Sequence, residues 1–186
     1  LTAHKSIAMP GCSINNPTLT EADLRNLAVA KQYKVTDVML PFVRNKADLI
    51  ILREALREYG CEDIRIFAKI ENMTGVEHLE ELIPYCDYIV IARGDLGNAM
   101  PLSQLPRIQA HIARVCRKHN KDFVIVTQML DSMIKNPYPT RAEVNDIYHA
   151  VTQGASALML TGETAHGKYP VEAMKMLVDT AEESIL

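Results

Sequence analysis

Residues 64–97 read IRIFAKIENMTGVEHLEELIPYCDYIVIARGDLG. A β-branched apolar run (Ile64, Ile66, Phe67, Ala68, Ile70) ends in Lys69-Ile70-Glu71-Asn72 and passes into a stretch with helical spacing. A second apolar run, Tyr88 to Ala92, then ends in Arg93-Gly94-Asp95-Leu96-Gly97. Short runs that are apolar throughout predict strands buried on both faces, and a helix between two of them makes the pair parallel. The same alternation recurs outward from this unit. Residues 36–42, 123–127 and 157–160 are further strand candidates, so five strand–helix units follow one another at intervals of about thirty residues. Thr20 with Asp23, Thr74 with Glu77 and Thr140 with Glu143 have the spacing of reciprocal capping boxes. Gly60 and Gly154 stand just past helix ends, and Pro170 opens the last helix. The expected class is α/β, with the short regular period favouring a (β/α) barrel over an open sheet. A complete (β/α)8 TIM-type barrel takes eight strands and about 250 residues, so five units make part of one. Residues 1–186 are read as a single domain, with 136–139 a loop between helices and not a linker.

The 186 residues are 48 % apolar and 23 % charged, which excludes a disordered tail. Twenty Lys and Arg against twenty-three Asp and Glu leave a net charge of −3, without the basic excess of a nucleic-acid binder. No apolar run reaches the length of a membrane span, and the opening LTAHKSIAMPG carries no signal-peptide apolar core. Four dispersed cysteines (Cys12, Cys61, Cys86, Cys116) fit a reducing compartment better than a disulfide or zinc framework. A cytoplasmic protein with neither nucleic-acid nor membrane partners is therefore expected.

Reactive groups of parallel α/β folds lie at the carboxyl ends of strands. Lys69 and Glu71, two apart, point to the same side of an extended chain, and two charges after an apolar run are costly to bury without a purpose. Asp95, between two glycines, follows the next strand. Two carboxylates at one strand-end rim repel, so a proton or a cation must accompany them. Mg²⁺ takes one or two protein carboxylates and completes its shell with water and substrate oxygens. Carboxylate pair, lysine and glycine-flanked amides together point to a phosphoryl or enolate-like anion on a divalent metal. Thr127 and Thr161 each place a hydroxyl at a later strand end. The nucleotide-binding and hydrolase glycine motifs do not occur. The six histidines show no paired spacing and are read as surface or packing residues, and Met174 and Met176 as core filler.

AKIEN (68–72), ARGDLG (92–97), TQMLDSMIKNPYPTRAE (127–143) and MLTGETAHGKYPVEA (159–173) occur in this order. Together they resemble the catalytic barrel of pyruvate kinase from its fourth strand to its eighth. MPGCSINNPTLTEADLRNL (9–27) looks like that family's return from its lid domain into the barrel. The resemblance implies phosphoryl transfer from phosphoenolpyruvate to ADP, giving pyruvate and ATP, with Mg²⁺ (or Mn²⁺) and K⁺. It implies that Lys69 stabilises the transferring phosphoryl group and that Glu71 and Asp95 ligate the divalent metal. The amides of Gly94 and Asp95 would hold the substrate carboxylate, and Thr127 would lie against the enolate face. Arg44 and Thr161 fall in loops around that site.

The chain departs from the family pattern at several points. Thr161 replaces a serine, Pro41-Phe42-Val43-Arg44 lacks the usual first hydroxyl, Asn98-Ala99-Met100 stands for Val-Glu-Ile, and Asn120-Lys121-Asp122 for Gly-Lys-Pro. The family's nucleotide- and potassium-binding residues from the first three strands and the lid have no counterpart here, nor does its C-terminal domain. Two other expectations stand beside kinase activity: enol–keto or lyase chemistry on pyruvate, and a non-catalytic partial barrel. The exposed edges of five strands predict a homo-oligomer or a part of a longer chain.

Overall fold

The computed structural model describes residues 16–185. The Met9–Leu27 match therefore lies partly outside the described residues, as do Cys12 and His4. Five strands, β1 (Asp37–Leu40), β2 (Arg65–Ile70), β3 (Tyr88–Ala92), β4 (Asp122–Val126) and β5 (Ala157–Met159), form one sheet in the order β1-β2-β3-β4-β5. All four pairings are parallel, with Leu40 opposite Ala68, Ile70 opposite Ile91, Ala92 opposite Val126 and Val126 opposite Met159. The helices are α1 (Glu21–Ala30), α2 (Lys46–Glu58), α3 (Met73–Glu77), α4 (Leu79–Leu82), α5 (Arg93–Asn98), α6 (Leu105–Lys118), α7 (Arg141–Thr152), α8 (Gly162–Ala165) and α9 (Pro170–Glu183).

Period-two alternation divides the sheet into two faces. Ile66, Ala68, Ile70, Ile89, Ile91, Phe123 and Ile125 point into the main core, against Leu49, Leu52 and Leu56 of α2, Ile112 of α6 and Ile147 of α7. Each such side chain, fully buried, contributes about 1.5–3 kcal/mol of transfer free energy. The opposite face carries a smaller cluster of strand residues alone: Val90, Ala92, Val124 and Val126, with Phe67, Tyr88 and Met159 against it. Phe67 and Tyr88 stack there with ring centroids 4.2 Å apart. Lys69 and Glu71 share the parity of Phe67 and continue this second face to its end. Strands β1 and β5 are both edges, and Met39, Phe42, Val171, Met174 and Val178 are exposed apolar side chains.

Two of the three expected capping boxes form. Thr20 and Asp23 open α1, and Thr140 and Glu143 open α7, each with both reciprocal bonds. The third does not. Asn72 caps α3 by accepting from the Gly75 N–H at 2.8 Å, which places Thr74 inside the helix. Gly60 (φ +64°) and Gly154 (φ +93°) take the left-handed conformation at helix ends. Strands β1 and β4 stop short of Phe42 and Thr127, because both residues have positive φ (+52° and +84°). Met176 packs against the core, whereas Met174 is 45 % exposed and is not core filler. The histidines from His78 onward lie on helices or loops, none of them buried, and Cys61, Cys86 and Cys116 are free and buried.

Candidate active site

Because the strands are parallel, their carboxyl ends form one rim. The Ile70–Ile91 and Ala92–Val126 register puts Glu71 level with Ala92, and Thr127 level with Arg93. Adjacent strand ends lie about 4.8 Å apart, so the residues expected at the site occupy neighbouring positions.

Glu71 is the buried charge of this rim, its side chain 1 % exposed against 25 % for Lys69. One carboxylate oxygen meets the Lys69 ammonium at 2.6 Å, and the other accepts the Phe42 N–H at 2.8 Å. Lys69 thus supplies a cation beside Glu71. The Phe42 bond anchors the left-handed turn after β1, and the Val43 N–H donates to the Lys69 carbonyl at 3.2 Å beside it.

Strand β3 ends in α5, whose first-turn N–H groups, those of Gly94 and Asp95 included, have no partner within the helix. Asp95 is exposed, and its carboxylate makes no hydrogen bond or ion pair among the described residues. A Cβ built on Gly94 would stand 3.1 Å from Thr127 Cγ2 and 3.5 Å from Thr127 Oγ1. The Thr127 side chain therefore lies directly over Gly94, and only the absence of a side chain at that position lets it.

Arg44, expected in a loop around the site, is bonded to Asp48 of α2. Its guanidinium donates to both oxygens of buried Asp48 (2.6 and 3.0 Å), to the Thr18 hydroxyl and to the Asn16 carbonyl. Burial favours the neutral Asp48 carboxyl, but the bonds from Arg44 and Thr18 hold it below the usual carboxylate range. Thr161 lies at the end of β5, where its N–H and hydroxyl bond Glu163 Oε2 at 2.8 and 3.3 Å.

Sequence reasoning passed over three residues that build this rim. Arg93 bridges β3 to β4, donating to the Thr127 carbonyl at 2.7 and 3.1 Å and pairing with Asp146 of α7 at 2.7 Å. Buried Glu163 accepts the Leu130 N–H at 3.1 Å, and Glu143 accepts the Ser132 N–H and hydroxyl at 2.8 and 2.6 Å. Burial works to raise both carboxyls, yet these donated bonds keep each below its ordinary range. The one available signal was an arginine, or a Gly-Glu, placed directly at a strand end.

No group of three or more His, Cys, Asp or Glu side chains gathers among the described residues. Glu71 and Asp95, the carboxylates expected from the sequence to take a divalent metal, are both oxygen donors, a number and type that would suit Mg²⁺ better than zinc.

The family model "Pyruvate kinase, barrel domain" matches residues 1–174. The chain belongs to the pyruvate kinase family. It is 41 % identical over 182 residues to the pyruvate kinase of Clostridium acetobutylicum, covering 98 % of this chain and 38 % of that protein. It is 41 % identical over 179 residues to that of Borreliella burgdorferi, covering 96 % and 38 %. With the pyruvate kinase of Candida albicans the identity is 39 %, covering 100 % of this chain and 37 % of that one. The chain thus spans well under half the length of the pyruvate kinases it matches. No helix among the described residues is long and apolar enough to cross a membrane.

Proposed function

We propose that this chain is the part of a pyruvate kinase (β/α)8 barrel from the fourth strand to the eighth, a single domain over residues 1–186. The protein that carries it would transfer the phosphoryl group of phosphoenolpyruvate to ADP, giving pyruvate and ATP. The observation that carries this reading is the Lys69–Glu71 pair, closed at 2.6 Å on the sheet's strand-only face, beside the α5 amides and Thr127.

Phosphoryl transfer asks a protein for positioning and charge stabilisation more than for covalent chemistry. Lys69 brings a positive charge to the transferring phosphoryl group. The N–H groups of Gly94 and Asp95 bind the substrate carboxylate. Thr127 orients the enolate face, its hydroxyl at the position from which a water or the Oγ itself would pass a proton to carbon. Glu71 and Asp95 would hold Mg²⁺ (or Mn²⁺), which when bound neutralises charge on the phosphoryl and enolate oxygens. Glu71 has its ammonium partner in place, so a carboxylate engaged by a second cation would free Lys69 to face the anion. K⁺ and the nucleotide contacts belong to the same reading through family membership, and Arg44 and Thr161 stay at the edges of the site. The edges of β1 and β5, without a further strand among the described residues, support a longer chain that supplies the remaining strands; a cytoplasmic homo-oligomer belongs to the same reading.

A coupled assay following pyruvate formation from phosphoenolpyruvate and ADP tests this on the intact polypeptide. Lys69→Met should lower turnover by about 10²–10³-fold, the size of one preorganised electrostatic contact. Full turnover by that variant would overturn the assignment.

A further inference from the structure

Thr127 and Gln128 are consecutive non-glycine residues in the left-handed region, with φ +84° and +53°. For a β-branched residue this is a genuine outlier, and such conformations persist only where the surroundings impose them. The imposing group is the Arg93 guanidinium. Arg93 Nε and Nη2 donate to the Thr127 carbonyl at 3.1 and 2.7 Å, and Nη2 reaches the Gln128 carbonyl at 3.3 Å and the Met129 sulfur at 3.1 Å. Nη1 donates to Asp146 at 2.9 Å, and the side chain is only 11 % exposed.

A guanidinium is planar and forked, so two N–H groups on one carbonyl and a carboxylate behind it set the orientation of that peptide plane. Both carbonyls gripped belong to the two residues in the unusual conformation. The same Arg93 begins α5 and is bonded to Gly94, over which the Thr127 side chain lies. Arg93 thus stands on both sides of the contact: its backbone begins the helix, and its side chain holds the peptide that carries the hydroxyl above it.

We infer that Arg93 is a positioning residue, anchored by Asp146, which holds Thr127 in its left-handed conformation over Gly94. The inference rests on the kinase reading for its consequence, since the hydroxyl so placed is the one assigned to the enolate face. The Arg93 side chain spends its N–H groups on protein acceptors, so it acts through Thr127 and not on the substrate. A lysine could keep the charge but offers no fork, so it cannot hold both carbonyls and the carboxylate in one plane.

The test uses the intact protein with Arg93→Lys, Asp146→Asn, Thr127→Ala and the pairwise combinations. A displacement of about 1 Å is enough to cost on the order of 10²-fold in rate, so Arg93→Lys should lower kcat by about that factor. KM for phosphoenolpyruvate and the affinity for Mn²⁺ alone should stay near their original values. On a Thr127→Ala background, Arg93→Lys should change kcat by no more than about 2-fold, because the group it positions is gone. Asp146→Asn, nearly isosteric, should show the same non-additivity at smaller amplitude, and it serves if the Arg93 variant does not fold. Original kcat in both variants, or losses that simply multiply with that of Thr127→Ala, would overturn the inference. A crystal structure of the Arg93→Lys protein supplies a readout independent of turnover. Thr127 should leave positive φ, and a Thr127 that keeps it refutes the clamp. An unmodified protein without kinase turnover would refute only the kinase reading and leave this structural result to stand or fall alone.

Discussion

Replacing Glu71 by alanine strips two donors of their acceptor in one step: the Lys69 ammonium at 2.6 Å and the Phe42 N–H at 2.8 Å. Breaking a fully buried pair costs about 3–5 kcal/mol, whereas exposed pairs are worth about 0–1 kcal/mol. Lys69 keeps a quarter of its side chain in solvent, so its share falls between these limits, at about 1–3 kcal/mol. The orphaned N–H adds about 1 kcal/mol, the low end for an unmet donor, because Phe42 is 55 % exposed and water can reach it. The sum is about 2–4 kcal/mol, or roughly 4–16 °C in Tm for a chain of this size. Glu71→Gln keeps an oxygen for Phe42 and removes only the charge, so it should lose about 1 kcal/mol less. The double variant Lys69→Met/Glu71→Leu should recover most of the pair's share, since apolar side chains replace buried ions without penalty. Scanning calorimetry of the four proteins decides the matter. A Glu71→Ala shift below about 2 °C, or equal losses for alanine and glutamine, would refute the claim that one carboxylate serves both partners.

A methyl group at Gly75 would stand 2.5 Å from the Val43 carbonyl oxygen, so Gly75→Ala should destabilise by about 2–3 kcal/mol or more, read as a lower urea midpoint. Gly94→Ala should leave stability within about 1 kcal/mol, since alanine favours the helix, while its 3.1 Å approach to Thr127 lowers turnover in the coupled assay by about 10-fold or more. The folded-state carboxyls of Glu143 and Glu163 both lie below their ordinary range. Their stabilisation is therefore complete above the unfolded-state pKa, near 4.3, and is lost as pH falls through the lowered folded values. Urea midpoints measured from about pH 6 down to about pH 3 should fall on that limb, and Glu163→Gln should flatten the fall.

All five strands could be read from the sequence, because each is a short, mostly apolar run; the central β3 and β4 are buried almost throughout, and the edge strands β1 and β5 much less. Lys69 and Glu71 stood out for the opposite reason, as charges at the end of such a run. The misreadings cluster where tertiary contacts override local preference. Phe42 and Thr127 favour extended backbone on their own, yet both are left-handed where the Phe42 N–H donates to Glu71 and the Thr127 carbonyl accepts from Arg93. Those partners sit 29 and 34 residues away in the chain, beyond the reach of any local pattern. Thr74 had the right spacing for a box, but Asn72 stands two residues earlier and caps α3 first. Arg44, expected in a loop around the site, pairs with Asp48 four residues on, a spacing that was legible in the sequence and went unread.

The turns at the strand ends lean on one another. The turn after β1 is tied to the end of β2 through Glu71, the end of β3 to that of β4 through Arg93, and the segment after β4 to that after β5 through Glu163. Anyone grafting a single strand–loop–helix module from this protein into a homologous barrel would sever at least one such tie and import a turn without its support. The smallest pieces that sever no tie are the first two modules or the last three, and chimaeras with crossovers inside a tied set should misfold at the rim while their cores assemble normally.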